Sequence, residues 1–526
     1  MTKIREGKEA VALALQSCLQ RRYREARELL AEALNTELGP TTRHEAELLL
    51  AKIDFTEGHW EKSLAAVQII LEHNPDDWEA LKLRQRCWQR LGFAAEDATD
   101  CRRLNELQPS PLEHSDLVFK SNFLWQTTPE SLYEESRRWS ERYAEPLSPK
   151  LPVHRNIPDP ERRLKIGYVS PDFRYHAVMK VLPSVLTNYD RQNFELFAYF
   201  IDFQQQDAIT ERLRQTLDNF VTLPANTAEV AKRVQADGID ILVDLAGHTM
   251  PVEALLAFAL KPAPVQLSWL GVHATTGLRT MDYFLGDAHL PAPGTEQCFS
   301  EKIYRLPRAQ YCYHPETDPG ISPSPYFENG YLTFGSFNNP SKVNREMAKA
   351  WSLILHFHPG SKLFFKYATP FRAITSERLR AWFQEDGITA DRVSFADTHW
   401  ELPYMASWSC IDIALDPFPY HGGTTTLDAL WMGVPVVSMS GRLAVSCCSG
   451  VFLNAIGLPV ARSMEEYVAL AGAFVNMVLS NNQSRQCIRN AMINSPLMDD
   501  QGLVRALETA YRDMWRTWCS GQRSKL

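Results

Sequence analysis

No stretch of the sequence reaches the roughly 18 consecutive apolar residues that a membrane-spanning helix needs; the best run, Ala254 to Leu260, stops at Lys261. A membrane span is therefore not expected. The residues from Met1 to Glu9 alternate charges and lack the apolar centre of a secretory leader, so a cytoplasmic location is expected. Paired cysteines are also lacking: the 10 are scattered, only Cys447 and Cys448 are adjacent, and no CxxC occurs. Neither a zinc site nor a disulfide framework is indicated, which leaves buried reduced thiols. Positive charge is not in excess, with Lys+Arg 55 against Asp+Glu 63 and a net charge of -8. Bulk attraction to nucleic acid or to an anionic membrane is thereby disfavoured. What the 526 residues do hold is ample apolar material, 45% hydrophobic against 22% charged, enough for several cores at roughly 150 residues per domain.

From about Glu9 to Gln108 strand signals are almost absent, while apolar residues recur at helical spacing. Breakers recur too. Pro75 and Pro109 lie 34 residues apart, as do Gly58 and Gly92, and Pro40 to Pro75 is 35. That is the tetratricopeptide period, in which paired helices stack into a solenoid. About three repeats are visible. They serve either as a groove for a peptide or as a dimerisation and packing module. Residues 110–143 also read as helical, with Trp139 and Tyr143 as anchors, and Pro146, Pro149, Pro152, Pro158 and Pro160 then mark a linker.

Beyond the linker, short apolar strands alternate with helices, at 164–170, 194–200, 239–245 and 266–271. A second break, from Tyr313 to Pro325, precedes further strands at 332–337, 363–366, 393–395, 411–416 and 435–438. Strand-helix alternation predicts parallel sheets, hence two doubly wound domains with ligands at the carboxyl ends of their strands.

Four clusters fall at such ends. The segment from Asp416 to Pro435 reads as strand, glycine turn and helix: Gly422 and Gly423 permit the turn, Thr424, Thr425 and Thr426 open the helix, and Asp428 lies one turn in. Free amides at a helix start favour an anion, though an ordinary threonine cap has the same spacing. Lys342, in the run from Asn338 and Asn339 to Arg345, offers a compact charge for a phosphate. His176 and the Asp244–Thr249 segment with His248 occupy the corresponding places in the first domain, where each histidine is a candidate base or hydroxyl-orienting group.

These segments carry a resemblance. Gly167–His176, Asp244–Thr249, Lys261–Gly271, Thr275–Gly277 with Met281–Tyr283, Phe337–Lys342, Asp416–Pro435 and Ser495–Leu497 together resemble the Spindly and O-linked N-acetylglucosamine transferase family, glycosyltransferase family 41. The resemblance implies a tetratricopeptide-like α-solenoid followed by a GT-B region of two Rossmann-like domains. The organisation expected is 1–143 helical repeats and connecting helices, 144–163 linker, 164–310 first Rossmann-like domain, 330–500 nucleotide-sugar domain and 501–526 terminal helix. It implies metal-independent, inverting transfer of a sugar to Ser or Thr of protein or peptide acceptors held by the solenoid. The donor implied is UDP-N-acetylglucosamine, with no cofactor. Alternatives are GDP-fucose as donor, a non-protein acceptor, or a scaffold with a degenerate GT-B part; a homo-oligomer stays open. The catalytic candidates are His176 and Lys342, by the same resemblance, and His248 and Asp244, from the strand-end cluster. Asn339, Gly423, Thr424, Thr425, Thr426 and Asp428 are the donor-binding candidates, Lys342 with the diphosphate among the former. The sequence departs from the family at Cys447-Cys448, where an arginine is usual, and at Tyr404, where animal relatives have a histidine; the second polar position after His176 is often His or Gly in relatives, and here Lys180 stands nearby.

Overall fold

Helical periodicity at the start of the chain resolves into α1 (Thr2–Leu19), α2 (Tyr23–Leu34), α3 (Pro40–Thr56), α4 (Trp60–His73), α5 (Trp78–Leu91), α6 (Ala94–Leu107), α7 (Pro111–Ser121) and α8 (Pro129–Trp139) in a computed structural model that describes residues 2–149, 153–202, 206–249, 251–397 and 400–523. The 34-residue recurrence has a local cause. Gly58 and Gly92 take positive φ values of 81° and 80°, the left-handed turn that ends a helix, so α3–α4 and α5–α6 are equivalent pairs. Asp77 then starts α5 by accepting from the Ala80 amide at 2.9 Å. Residues 1–120, with 372–377, form one compact unit. Inside it Lys120 and Asp97 make a buried ion pair at 2.6 Å, to which Gln85 adds a hydrogen bond at 2.5 Å.

The second unit, residues 121–371 with 378–526, holds both sheets. The first is parallel, with strands β1 (Leu164–Ser170), β2 (Phe194–Asp202), β3 (Phe220–Pro224), β4 (Ile241–Asp244), β5 (Val265–Ser268), β6 (Tyr283–Gly286) and β7 (Lys302–Arg305) in the order β3-β2-β1-β4-β5-β6-β7. The register pairs Leu164 with Phe194 and Ile166 with Ile241. The second contains β8 (Thr333–Ser336), β9 (Lys362–Phe365), β10 (Val393–Phe395), β11 (Ile413–Leu415) and β12 (Val436–Val437), ordered β10-β9-β8-β11-β12 and again parallel. All five strands expected there are present. In the first sheet β3, β6 and β7 were not anticipated: β3 is an edge strand with no buried residue, and the other two have only four residues each, too few for alternation to register.

The linker prolines after Leu147 lie in irregular backbone, with Pro152 outside the described residues. The terminal helix runs Asp500–Arg523, and residues 524–526 lie outside the described ones. It returns to the first sheet, where the Tyr511 and Tyr168 hydroxyls meet at 2.9 Å and Trp515 donates its indole N–H to the Asp159 carbonyl at 2.8 Å. A chain that crosses back in this way, over two Rossmann-like sheets, has the GT-B architecture. The 10 cysteines are all free; seven are buried as expected, Cys18 and Cys410 are half-buried, and Cys487 is exposed.

Candidate functional site

In a doubly wound sheet the ligand crevice opens where the strand order reverses direction. In the first sheet that point lies between β1 and β4, and in the second between β8 and β11. The loop after β1 carries His176, and the loop after β4 carries Asp244 and His248. The loop after β8 carries Asn339 and Lys342, and the loop after β11 leads into the helix Thr424–Trp431. Topology thus brings every candidate segment to one of two crevices.

The second crevice is built around Gly422. A Cβ there would lie 2.5 Å from Thr426 Oγ1, 3.1 Å from Asp416 Oδ1 and 3.2 Å from Asn338 Oδ1, so only glycine permits the approach. Asp416 holds the turn by accepting from the Gly422 amide and the Ser438 hydroxyl, each at 2.7 Å. His421 donates its Nε2–H to the Met439 carbonyl at 2.8 Å, and burial holds its imidazole below the usual range, hence neutral. Its own carbonyl receives the Lys342 ammonium at 2.6 Å, and that ammonium also lies 4.3 Å from the Tyr420 ring centre. Enclosure lowers Lys342 to about 8, with Asp416 and Cys448 opposing the shift. A cation held in a dry place with few full counter-charges is poised to meet an anion.

At the adjoining helix start Gly423, Thr424 and Thr425 are half-exposed, and the first amides of a helix have no partner within it. Ser336 Oγ and Asn338 Oδ1 are buried without a hydrogen-bond partner among the described residues, and with Asp416, Thr425 and Thr426 they line a small hollow beside the turn. Two expected ligands are used internally instead. Thr426 is buried with its hydroxyl 2.9 Å from Ser449 Oγ, because the helix turns it toward the core, and Asn339 caps its own turn by accepting from the Ser341 amide at 3.0 Å.

Asp428 is buried and joins the two sheets' loops. Lys180, from the first domain, lies 3.2 Å from its carboxylate, Tyr313 donates to it at 2.5 Å, and the Tyr404 hydroxyl also bonds to it. Burial raises the carboxyl above its ordinary range, and these three partners oppose that rise. Neither Lys180 nor Tyr313 was singled out as a site residue, since the contacts bridge 248 and 115 positions. No local spacing encodes such pairs.

In the first crevice His176 is exposed and caps the short turn Ala177–Lys180, with Nδ1 3.6 Å from Asp172. Asp244 and His248 face inward. The Asp244 carboxylate accepts from the Ala246 amide at 3.0 Å, the Gly247 amide at 2.9 Å and the Ser268 hydroxyl at 3.3 Å; His248 Nε2 lies 3.0 Å from the Thr276 carbonyl and its ring meets Trp139 edge-on. Both secure the loop after β4. The Thr275–Gly277 motif has a similar explanation: Thr275 and the Thr276 amide wrap the buried Glu301 carboxylate at 2.6 and 2.7 Å, and a Cβ at Gly277 would lie 2.3 Å from the Ser136 carbonyl of α8. Cys447 and Cys448 are buried thiols pushed up to about 12 by desolvation. Among the described residues no group of three or more His, Cys, Asp or Glu could hold a metal ion, and no helix is long and apolar enough to cross a membrane.

The sequence profile of glycosyl transferase family 41 matches residues 148–314 and 326–507. A Solanum lycopersicum protein named Probable UDP-N-acetylglucosamine–peptide N-acetylglucosaminyltransferase SPINDLY is 36% identical over 416 residues, covering 76% of this chain and 44% of its own length. The Arabidopsis thaliana SEC protein of the same enzyme name is 29% identical over 381 residues, 69% of this chain and 38% of its own. The chain thus spans under half the length of these curated relatives. Among solved structures, a lysine-to-methionine mutant of the Thermobaculum terrenum O-GlcNAc transferase is 30% identical, covers 99% of each chain and superposes with a TM-score of 0.86. Through the profile match over both Rossmann-like domains and this whole-chain likeness, the chain belongs to glycosyl transferase family 41.

Proposed function

We propose that the protein is an inverting glycosyltransferase that moves a sugar, N-acetylglucosamine from UDP-N-acetylglucosamine, to a Ser or Thr hydroxyl of a peptide. The observation that carries this reading is the Lys342 ammonium, held 2.6 Å from the His421 carbonyl beside the open start of the helix Thr424–Trp431. In the reaction the acceptor oxygen bonds to the anomeric carbon as the bond to the β-phosphate oxygen breaks, and one displacement inverts that carbon. The hydroxyl proton is lost from the acceptor side, and the departing nucleoside diphosphate gains charge. Lys342 and the amides at Gly423, Thr424 and Thr425 meet that charge where it grows. Because this chain's own cation and dipole do so, the reading needs no metal.

In this reading Asp428, with Lys180, Tyr313 and Tyr404 around it, serves the ribose side of the same nucleotide, and His176 serves the acceptor or sugar. Asp244 and His248 act by positioning the loop between them. The paired helices α3–α4 and α5–α6 recruit the peptide. The name shared by the relatives, a UDP-N-acetylglucosamine–peptide transferase, supports the donor and acceptor class. The test is incubation with UDP-N-acetylglucosamine, UDP-glucose and GDP-fucose, reading nucleotide release and peptide mass with and without EDTA. Transfer from UDP-N-acetylglucosamine that survives EDTA is expected. Transfer from GDP-fucose alone would replace the donor, and no transfer or nucleotide binding would refute the enzyme.

A further inference from the structure

Two side-chain nitrogens of the loop after β5, Trp269 Nε1 and His273 Nδ1, are buried with no hydrogen-bond partner among the described residues, and of the two only the imidazole nitrogen can either donate or accept. The loop after β5 runs from Trp269 to Ala274 and is wedged against the loop after β4: a Cβ at Gly271 would lie 2.6 Å from the Leu245 carbonyl, and one at Gly247 would lie 3.3 Å from Val272 Cβ. Leu270 is held at φ 64°, a left-handed conformation that costs a non-glycine residue energy. The backbone on either side of His273 is therefore fixed. The ring is fixed as well, because Nε2 lies 2.8 Å from the Tyr311 hydroxyl, while Tyr311 packs edge-on against Phe452 at 5.1 Å. Nδ1 is then shielded from solvent with no hydrogen-bond partner among the described residues. A buried imidazole nitrogen left unpaired is costly, and a rigid loop that keeps it so points to a ligand that fills the gap.

The chemistry of that ligand follows from the neighbours. Desolvation holds the His273 imidazole down at about 4, with the nearby charge of Lys342 adding to it, so the ring is neutral. A neutral ring has no charge to offer a phosphate. Either tautomer leaves Nδ1 as a single donor or a single acceptor, and a hydroxyl can answer both. Resting on the reading that Lys342 faces the donor diphosphate, the group bonded to that diphosphate is the sugar. We infer that His273 is a specificity-determining residue of the donor site, its Nδ1 hydrogen-bonding a hydroxyl of the transferred sugar while Tyr311 fixes the ring through Nε2.

Calorimetric titration of the full chain with UDP and with UDP-N-acetylglucosamine, repeated for UDP-glucose and GDP-fucose, tests this. The variants are His273→Ala, His273→Asn, whose amide reaches the Nδ1 position, and His273→Gln, whose amide reaches farther. Loss of one hydrogen bond in a dry site predicts about tenfold weaker binding of the nucleotide sugar by the Ala and Gln variants, partial recovery by Asn, and UDP affinity unchanged within about twofold. Tyr311→Phe, which loosens the ring without removing it, is expected to fall between wild type and Ala for the sugar nucleotide alone. If the Ala variant does not fold, the Asn and Gln pair still separates the two outcomes. Equal loss for UDP and its sugar, or no loss for either, overturns the role of His273 while leaving the donor site intact. Wild-type protein that binds neither UDP nor any of the sugars refutes the donor reading itself, and the inference with it.

Discussion

Replacement of Lys342 by Ala is the perturbation with the sharpest expected outcome. Burial lowers the ammonium from its ordinary 10.5 to about 8. At 1.36 kcal/mol per tenfold change in proton affinity, that displacement corresponds to about 3 kcal/mol of destabilised charge. A diphosphate approaching within about 4 Å at an effective dielectric of 20 offers roughly 4 kcal/mol per unit charge, enough to repay it. The repayment grows as the sugar–phosphate bond breaks and charge moves onto the leaving group, so the larger share is realised in the transition state. Lys342→Ala should reduce turnover at saturating donor by about 100- to 1000-fold, as removal of a preorganised donor to a developing oxyanion does, with a smaller loss of donor affinity. Lys342→Arg should rescue poorly, because a planar guanidinium cannot replace a compact charge seated on the His421 carbonyl. The assay is nucleotide release at saturating donor, with thermal melting as the check on folding. Near wild-type turnover in a folded Ala variant would remove Lys342 from the mechanism and leave the helix start as the only carrier of charge.

Three further outcomes follow from the same contacts. Because Lys342 in the free protein loses its proton above about 8, UDP affinity should fall as pH rises through that value; binding should take up a proton there, read by calorimetry in two buffers of different ionisation enthalpy, and release of a proton would contradict the assignment. Lys180→Met leaves the buried Asp428 carboxylate without its cation, a loss on the order of 3 kcal/mol. Since burial already raises Asp428, the melting-temperature deficit should shrink as pH falls and the carboxyl protonates, and a deficit independent of pH would refute the pairing. Asp244→Ala strands the Ala246 and Gly247 amides and should cost about 2 to 4 kcal/mol in melting, with turnover per folded molecule far less affected; a fully stable but inactive Asp244→Ala would make Asp244 a catalytic residue after all.

Much of this arrangement was legible in the sequence. Strands such as Leu164–Ser170 and Val393–Phe395 were read with their observed ends, because a buried parallel strand writes itself as a continuous apolar run between breakers. The turns at Gly58 and Gly92 were legible because one residue type satisfies their backbone. The crevice positions of His176, Lys342 and the Thr424 helix were legible because a loop at a strand's carboxyl end is a statement about order along the chain. What escaped was side-chain direction and long-range pairing. Thr426 follows Thr424 and Thr425 in sequence, yet one more step around a helix of 3.6 residues per turn carries its hydroxyl from the crevice to Ser449. Asp244 and His248 looked like reactive groups because a carboxylate and an imidazole satisfy backbone donors and carbonyls as readily as they move protons.

That last ambiguity bears on how the two crevices differ. In a strand-end loop most polar atoms are spent on the loop itself, since the sharp reversal of the chain leaves amides that no sheet can pair. Asp416, Asp244 and Asn339 are spent in this way, each accepting from an amide of its own loop at 2.7 to 3.0 Å. Ser336 Oγ, Asn338 Oδ1 and His273 Nδ1 are among the buried atoms not so spent, as are Arg174 Nε and Trp269 Nε1 in the first domain's strand-end loops. A folded chain tolerates such atoms where a ligand completes them, because the desolvation cost is then recovered on binding rather than in folding. Ser336 and Asn338 belong with Lys342 to the end of β8 and its loop, and His273 belongs to the rigid loop after β5. On the proposed reading, the β8 loop sets its unspent atoms beside the cation of Lys342 while the β5 loop offers the neutral His273 ring, as a diphosphate joined to a sugar would require.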